Sequence, residues 1–338
     1  MREPPQLADA TILAAIDAHY GISIAALTFL PIGHDSASSA YGIQAADGTT
    51  YFLKVRAGAG FSVASLVIPR YFHDHGVPHI VAPLPTLTQT LWVSVNDFAL
   101  SLYPFLDART AADAGLSAQH WRALGTTLKH IHANPLIPDL RQIVRRETFT
   151  PSRRNVLTDL EAAIRRQAFA DSLERELAAF WQARRGDIHT LVDRADALGR
   201  QLRQTSLPLV LCHADLHTWN VLLDTAQQMW LVDWDETILA PKERDLMFVI
   251  GGIGRDLVRS QETACFLQGY GDTAIDLGAL VYYRYAWAVQ DMASYGEQVF
   301  FLPDLGEATR HDAVNGFMSL FEPGEIVALA LASDSNAG

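Results

Sequence analysis

Cysteine is nearly absent from this chain: only Cys212 and Cys265 occur among the 338 residues. Their number and spacing exclude a disulfide framework and a cysteine-based metal site, and they fit a reducing cytoplasm. Long apolar stretches are also missing, because none reaches the roughly 18 residues of a membrane span. The first six residues, MREPPQ, carry no apolar signal core. We therefore expect a cytoplasmic protein without a membrane segment.

Positive charge is scarce as well. The chain has 26 Lys and Arg residues against 38 Asp and Glu residues, which gives a formal net charge of −12. This balance excludes nucleic-acid binding as the main role, because that role requires a basic surface. An acidic surface instead suits a small cationic substrate. Hydrophobic residues make up 49% of the chain, and the length allows two lobes with a sizeable core.

Two short segments, 213–220 (HADLHTWN) and 231–235 (LVDWD), hold the most specific pattern. Apolar residues on both sides of a turn around 224–227 predict a β-hairpin between them. The hairpin would bring Asp215, Asn220 and Asp233 together. In phosphoryl transfer, one carboxylate aligns the acceptor hydroxyl, while an amide and a second carboxylate hold Mg²⁺ on the nucleotide phosphates. The pattern therefore predicts that Asp215 is catalytic and that Asn220 and Asp233 bind the metal.

The histidines of the first segment, His213 and His217, allow a different interpretation. Their spacing of four residues is that of a zinc-binding helix. The sequence lacks the His-Glu-x-x-His pattern, however, and the flanking residues are typical of loop and strand. We therefore expect a structural role for His213.

The order of these residues resembles the aminoglycoside phosphotransferase family, a branch of the protein-kinase-like fold. The segment 234–248 is also similar to that family, in which Asp245 would brace the catalytic loop. Over about residues 10–330, the pattern looks most like the spectinomycin phosphotransferases of the family. The resemblance implies a transferase that uses ATP or GTP with Mg²⁺ to phosphorylate an aminocyclitol such as spectinomycin. Antibiotic resistance would be the associated role.

The resemblance also implies an α+β, bilobal fold. An antiparallel-sheet N-lobe would span residues 1–103 and bind nucleotide, and a mainly helical C-lobe would span 104–338. Local sequence patterns agree with this division. Helix patterns occupy 7–19, 62–75, 116–133 and 152–204, and strand patterns occupy 26–31, 39–45, 50–55, 88–95 and 98–103.

Lys54 lies in the strand pattern 50–55 and would pair with the nucleotide phosphates, as the strand lysine of kinase-like enzymes does. The loop 33–39, GHDSASS, has neither a Walker pattern nor Gly-x-Gly-x-x-Gly. Small hydroxyl side chains and backbone N–H groups can still line phosphates, so Ser36 and Ser38 are candidate contacts. By position alone, Tyr103 and Phe105 are expected to flank the adenine.

The helix pattern after Lys54 lacks the glutamate that kinase-like enzymes pair with the strand lysine. Val63 stands where related sequences carry it, and the next acidic residue, Asp74, lies about three turns further on. Pro69 could also kink this helix. Three hypotheses remain open: another carboxylate orients Lys54, the enzyme is slow, or the chain binds nucleotide without transfer. We expect retained activity, since the catalytic and metal residues are all present.

If the acceptor is cationic, acidic side chains near the catalytic loop would pair with its positive charge and aromatic rings would pack against it. The acidic candidates are Asp235, Glu236 and Asp291, and the aromatic candidates are Tyr282, Trp287 and Tyr295. The segment 282–295 is equally typical of a buried core helix, since its apolar residues recur at spacings of three and four. Both interpretations remain open.

Other functions share parts of this pattern. Kinases for choline-like, homoserine-like or sugar acceptors would use the same catalytic residues, and the sequence separates them poorly. A protein kinase is disfavoured because the segment 240–242 (APK) follows Asp233 almost at once and leaves no room for an activation segment. The alternative from another class is a nucleotide-binding pseudokinase. We expect a monomer or a homodimer.

Overall fold

The computed structural model describes residues 3–33, 37–58, 61–254 and 258–333. Within these ranges it confirms an α+β fold, with an antiparallel sheet in the N-terminal part and mostly helices in the C-terminal part. A helix with the length and apolar character of a membrane span does not occur in the same ranges.

The described residues form ten strands, twelve α-helices and a 3-10 helix at Thr218–Asn220. The strands are Ile24–Leu30 (β1), Ser38–Ala45 (β2), Thr50–Ala57 (β3), Val93–Val95 (β4), Phe98–Pro104 (β5), Ala108–Thr110 (β6), Val210–Cys212 (β7), Val221–Asp224 (β8), Met229–Leu231 (β9) and Ile238–Ala240 (β10). The helices are Asp9–Tyr20 (α1), Ala64–Asp74 (α2), Ala111–Ala114 (α3), Ala118–Ala133 (α4), Pro138–Ile143 (α5), Arg154–Arg166 (α6), Ser172–Leu202 (α7), Glu243–Leu246 (α8), Ser260–Tyr270 (α9), Leu277–Phe300 (α10), Glu307–Ser319 (α11) and Ile326–Ser333 (α12).

The N-terminal sheet has the strand order β1-β2-β3-β5-β4, and all its neighbours are antiparallel. In the central strand β3, Leu53 and Val55 are buried in one core with Ile12 of α1. Side chains alternate across a strand, so Lys54 and Arg56 project from the opposite face. The core of the sheet therefore fixes the direction of Lys54, the lysine that is predicted to bind the nucleotide phosphates.

The fourth strand is shorter than the sequence pattern predicted. Strand β4 covers only Val93–Val95, whereas the pattern extended from residue 88. The Thr90 amide donates a hydrogen bond to the Thr86 hydroxyl at 3.1 Å, and Gln89 has a φ of 64°. The preceding residues form a turn, because such local side-chain bonds compete with strand pairing.

The predicted hairpin is confirmed. Strands β8 and β9 pair antiparallel, and β6 adds a third strand on the other side of β8. Asp224 closes the turn, since its carboxylate accepts backbone N–H groups from Ala226 at 2.9 Å and Gln228 at 2.8 Å. Two segments that are distant in sequence, 108–110 and 221–231, thereby share one small sheet.

Helix α10 is the most buried long helix of the C-terminal part. It packs against α6, α7, α8, α11 and α12, and 14 of its 24 residues are buried. The short strands β7 and β10 pair antiparallel, with Cys212 opposite Ile238. Strand β7 ends directly before the segment that carries Asp215.

The chain divides into two compact units. Unit 1 consists of residues 1–120, 134–144 and 218–237, and unit 2 consists of residues 121–133, 145–217 and 238–338. These limits differ from a boundary at residue 103, because β6 pairs with β8 and so belongs to unit 1. The lobe boundary at 103 stays a prediction.

Candidate active site

Lys54 of unit 1 forms ion pairs with two carboxylates. Its Nζ lies 2.8 Å from Asp233 Oδ1 and 2.8 Å from Asp235 Oδ2, and the lysine side chain is only 14% exposed. Burial alone would lower the pKa of Lys54, but the two carboxylates raise it above its ordinary value. The ammonium group therefore stays charged and fixed in place.

Arg56 binds the same carboxylate as Lys54. Its Nη2 donates to Asp235 Oδ1, and its Nε donates to Asp235 Oδ2 at 3.3 Å. Burial by itself would raise the pKa of Asp235, but Lys54 and Arg56 hold that pKa far below its ordinary value. Together with Asp233, these residues form a network of two cations and two anions. Asp235 is thus engaged by two cations of unit 1, and its role as a substrate contact stays a prediction.

The described residues of α2 offer Lys54 no carboxylate partner. Val63 precedes the first turn of the helix, and the helix runs through Pro69 without a break. The carboxylate of Asp74 is occupied by Arg70, whose Nε donates to it at 2.8 Å. The lysine is therefore held by residues that follow β9 and not by the helix.

The hairpin brings the chain positions of Asn220 and Asp233 together. The Val232 amide donates a backbone hydrogen bond to the Asn220 carbonyl oxygen at 3.1 Å, which continues the β8–β9 ladder by one step. Amide and carboxylate oxygens are ligands that Mg²⁺ prefers, so this donor set fits the metal. Asp233 has a φ of 62°, an uncommon conformation that is often found at functional positions.

In unit 2, Asp245 supports the segment that carries Asp215. Its carboxylate accepts the backbone N–H groups of His213 at 3.0 Å and Ala214 at 2.6 Å. Ala214 has a φ of 67°, which is costly for a residue other than glycine. Both His213 and Asp245 are fully buried. Two hydrogen bonds therefore stabilise a strained turn immediately before Asp215.

His132, which the sequence did not single out, holds Asp245 in turn. The histidine donates from Nε2 to Asp245 Oδ2 at 2.9 Å, and its Nδ1 lies 2.7 Å from the Tyr270 hydroxyl. Burial would raise the pKa of Asp245, but the bonds from His132 and the loop keep it below its ordinary value. The only sequence signal was the position of His132 on the apolar face of α4, which does not reveal a polar partner.

His132, Cys212 and Asp245 also lie within 4.8 Å of one another. Hydrogen bonding explains this cluster better than a metal, because both ring nitrogens of His132 are bonded already. Burial raises the pKa of the Cys212 thiol well above its ordinary value, whereas a metal ligand must be the thiolate. We therefore assign the cluster to support of the loop.

His217 contacts the carboxylate of Asp215, with 3.1 Å between Nε2 and Oδ1. The segment 213–217 is not helical, so His213 and His217 do not form the helical zinc pair. Burial would raise the pKa of Asp215, but the charge and hydrogen bond of His217 hold it below its ordinary value. An ionised Asp215 is able to accept the proton of a hydroxyl group.

A second carboxyl group, Asp291 on α10, is electrostatically coupled to Asp215. Burial, followed by the charge of Asp215, raises the pKa of Asp291 to about 7. His217 and Arg244 act in the opposite direction. The Arg244 guanidinium stacks over the Trp287 ring at 5.0 Å. Two neighbouring carboxyl groups of this kind attract a cationic group, which would favour ionisation of both.

The other substrate candidates differ in exposure. Tyr282 is 1% exposed and packs edge-on against Phe149 and Tyr283, which favours a packing role. Trp287 is 7% exposed. Burial raises the pKa of Tyr295 to about 12. Glu236 follows Asp235 in unit 1 and is partly exposed.

The nucleotide candidates lie along the N-terminal sheet. Ser38 begins β2 and stands opposite Arg56 in the strand register, whereas Ser36 lies outside the described residues. Tyr103 of β5 meets the Phe52 ring edge-on at 6.3 Å. Phe105 is 39% exposed directly after the strand, and its contact with adenine stays a prediction.

Comparison with known proteins identifies similar chains. The model of the phosphotransferase enzyme family matches residues 28–288. No curated protein sequence matches the chain. The structure of spectinomycin phosphotransferase APH(9)-Ia in complex with ADP and spectinomycin is 31% identical, with a TM-score of 0.85 over 98% of this chain and 99% of that chain. The resemblance that the sequence indicated is therefore confirmed.

Two further structures agree with this result. The AMP-bound complex of spectinomycin phosphotransferase APH(9)-Ia is 31% identical, with a TM-score of 0.79 over 96% of this chain and 98% of that chain. The amicoumacin kinase hAmiN, in complex with AMP-PNP, Ca²⁺ and Ami, is 17% identical, with a TM-score of 0.64 over 95% of each chain. The latter likeness concerns the fold alone.

Proposed function

The chain belongs to the phosphotransferase enzyme family, and we propose that it phosphorylates a hydroxyl group of an aminocyclitol antibiotic, with spectinomycin as the first candidate. The observation that carries this proposal is the near full-length likeness, at 31% identity, to a phosphotransferase in complex with ADP and spectinomycin. Antibiotic resistance would be the biological consequence of that activity.

We assign the acceptor chemistry to Asp215. The carboxylate is ionised, is held by His217 and follows a turn that Asp245 stabilises. It would orient the acceptor hydroxyl and take its proton as the phosphoryl group is transferred. His213 and Asp245 would keep this carboxylate in position without touching the substrate.

We assign the nucleotide to unit 1. Asn220 and Asp233 would hold Mg²⁺, which supplies positive charge to the nucleotide phosphates when it is bound. Lys54 would bind the same phosphates, and its fixed ammonium group supports that role. The candidate contacts from the sheet are Ser36, Ser38, Tyr103 and Phe105. ATP is the first choice of nucleotide and GTP the second.

We assign recognition of the acceptor mainly to Asp291. A partly buried carboxyl group whose pKa is raised by the charge of Asp215 suits the ammonium group of an aminocyclitol. The aromatic side chains Trp287 and Tyr295, which lie on the same helix, are candidates for the wall of that site. Glu236 stays a further candidate, whereas Tyr282 is a weaker one because of its burial.

A coupled assay tests this proposal. Purified protein would be given Mg²⁺ with ATP or GTP and a panel of acceptors: spectinomycin, other aminoglycosides, choline, homoserine and simple sugars. We expect the highest kcat/KM for spectinomycin, and a loss of at least about 100-fold in Asp215→Ala. If choline, homoserine or a sugar gives a higher kcat/KM than spectinomycin, that compound and not spectinomycin is the acceptor. Nucleotide binding without turnover of any acceptor would favour the pseudokinase alternative.

The pseudokinase alternative rested on the missing helix glutamate, and the position of Lys54 weakens it. The lysine is charged, largely buried and paired with two carboxylates despite Val63. A chain that had lost phosphoryl transfer would not need to keep this arrangement together with Asp215. We therefore favour a working enzyme.

A further inference from the structure

Lys54 has a fixed position although the described residues of α2 offer it no carboxylate partner. The sequence predicts Val63, the residue before the first turn of α2, at the place of the helix glutamate. In kinase-like enzymes that glutamate orients the strand lysine for the nucleotide phosphates. Here the Lys54 Nζ lies 2.8 Å from Asp235 Oδ2. The carboxylate comes from the loop after β9, so the lysine is held by a different element of unit 1.

Arg56 makes Asp235 a rigid partner. The guanidinium binds both carboxylate oxygens of Asp235, in a two-pronged geometry that restricts the rotation of the carboxylate. Arg56 is itself fixed, because its side chain is only 7% exposed and it projects from the same strand face as Lys54. The direction of the Lys54 ammonium group thus depends on Asp235, and the direction of Asp235 depends on Arg56.

We propose that Asp235, locked by Arg56, is the positioning residue that replaces the missing helix glutamate and holds Lys54 for the nucleotide phosphates. The inference rests on the proposed phosphotransferase function. It assigns Asp235 to the nucleotide half of the reaction and removes it from the set of substrate contacts.

Asp233 is the less suitable partner, although it also contacts Lys54. Its side chain is 41% exposed, against 27% for Asp235, and its oxygens are proposed to bind Mg²⁺. A metal ion and an ammonium group would compete for the same carboxylate. Asp235 has no such second task, so it would keep Lys54 in place when the metal is bound.

Asp235 is also poorly suited to bind a substrate ammonium group. Both of its oxygens are engaged by cations of unit 1, Lys54 and Arg56. A substrate would have to displace one of them and leave a largely buried positive charge without its partner, which is strongly unfavourable. The observed contacts therefore favour an internal role.

Nucleotide binding without added Mg²⁺ or acceptor, measured by calorimetry, tests the proposal. We expect Asp235→Asn to weaken binding of ATP roughly tenfold, the loss of one charge-assisted contact. Adding Val63→Glu to Asp235→Asn should restore most of the affinity, because it places a carboxylate at the start of α2, where the sequence predicts the helix glutamate. Asp74→Asn is the matched control, since it removes an aspartate of the same unit that pairs with Arg70 instead, and it should change affinity less than about twofold.

Two outcomes would overturn the proposal. Asp235→Asn could bind ATP like the parent while its KM for the acceptor rises, which would make Asp235 a substrate contact. Weakened binding that Val63→Glu does not restore would contradict the replacement of the helix glutamate. In steady-state assays, the proposal requires that the nucleotide KM rises more than the acceptor KM.

A double variant covers the case in which Asp235→Asn does not fold. That single change leaves Arg56 buried without its partner, whereas Arg56→Gln combined with Asp235→Asn removes both charges. We expect the double variant to melt near the parent temperature and to bind ATP more weakly. Parent-like affinity in a folded double variant would also overturn the proposal.

The same experiment separates this proposal from the function on which it rests. ATP binding is measured in the absence of an acceptor, so it remains informative if the parent phosphorylates none of the acceptors. If the parent protein phosphorylates none of the acceptors, the proposed function is wrong. If Asp235→Asn binds ATP with the affinity of the parent, the proposed role of Asp235 is wrong.

Discussion

Asp291 is a carboxyl group whose pKa lies near neutrality. Burial, with the charge of Asp215 second, raises its pKa from 3.8 to about 7. Between these values the folded protein holds a proton at Asp291 that the unfolded chain has released. The free energy of unfolding therefore falls as pH rises through this window, and the penalty is complete above the folded pKa.

We expect Asp291→Asn to remove this penalty. The variant should be more stable than the parent at pH 8 by about 1 kcal/mol or more, since each unit of pKa shift corresponds to about 1.4 kcal/mol. The advantage should disappear at pH 4. Urea unfolding at both pH values measures the difference, with exposed Asp304→Asn as the control. An advantage of equal size at both pH values would contradict the raised pKa.

The candidate residues that sequence reasoning found are close together in the chain. Asp215, Asn220 and Asp233 are carried by a loop and one hairpin, so their spacing alone suggested that they meet. The partners that it missed are distant: Arg56 and Asp235 are 179 positions apart, and His132 and Asp245 are 113 apart. The periodicity of residues within one segment cannot reveal such pairs, because they form only when the tertiary fold brings distant segments together.

At the scale of elements, α4 supports the catalytic segment through His132. We expect His132→Ala to lower stability by about 1–3 kcal/mol, because Asp245 and the Tyr270 hydroxyl would each lose a buried hydrogen bond. Turnover should fall as well, since Asp245 holds the turn before Asp215. The matched control is His130→Ala, an exposed histidine of the same helix.

Thermal unfolding and kcat measured on both histidine variants test the support by α4. His130→Ala should change stability by less than about 0.5 kcal/mol, as is usual for surface substitutions. If His132→Ala keeps the parent stability and the parent kcat, α4 does not support the loop.

Glycines allow α4 and α9 to approach each other closely. A Cβ at Gly269 of α9 would clash with the Arg122 carbonyl oxygen of α4. We therefore expect Gly269→Ala to lower stability by about 1–3 kcal/mol through overpacking. Gly186→Ala on the exposed side of α7, where a Cβ meets nothing within 4 Å, should instead raise stability by about 0.5–1 kcal/mol.

Urea midpoints of the two glycine variants test this helix contact. Both substitutions add one methyl group within a helix, so helix propensity acts in the same direction in each. Equal changes of stability would show that the contact between α4 and α9 does not require glycine.

Elements with a long periodic pattern were predictable, and the shortest ones were not. Apolar spacing indicated the hairpin and the helices α1, α2 and α4. Strands β6, β7 and β10 have three residues each, which is too short for a period of two to stand out. Partners from distant segments stabilise these strands.

At the scale of the whole molecule, the fold follows from the order of the elements and the motifs, whereas the acceptor does not. The hAmiN kinase shares the fold at 17% identity, and a shared fold does not define a substrate. Nor did the sequence indicate the compact units, because their limits depend on the pairing of β6 with β8. We propose that a few side chains such as Asp291 decide the acceptor.

Mass spectrometry of spectinomycin after incubation with the purified protein, Mg²⁺ and ATP decides whether the chain phosphorylates this antibiotic. We predict that the antibiotic gains one phosphate in the presence of the parent protein. Asp215→Ala should form this product at least about 100-fold more slowly while it binds ATP with nearly the parent affinity. Unmodified spectinomycin in the presence of ATP-bound parent protein would show that spectinomycin is not the acceptor, and equal product formation by Asp215→Ala would show that Asp215 is not catalytic.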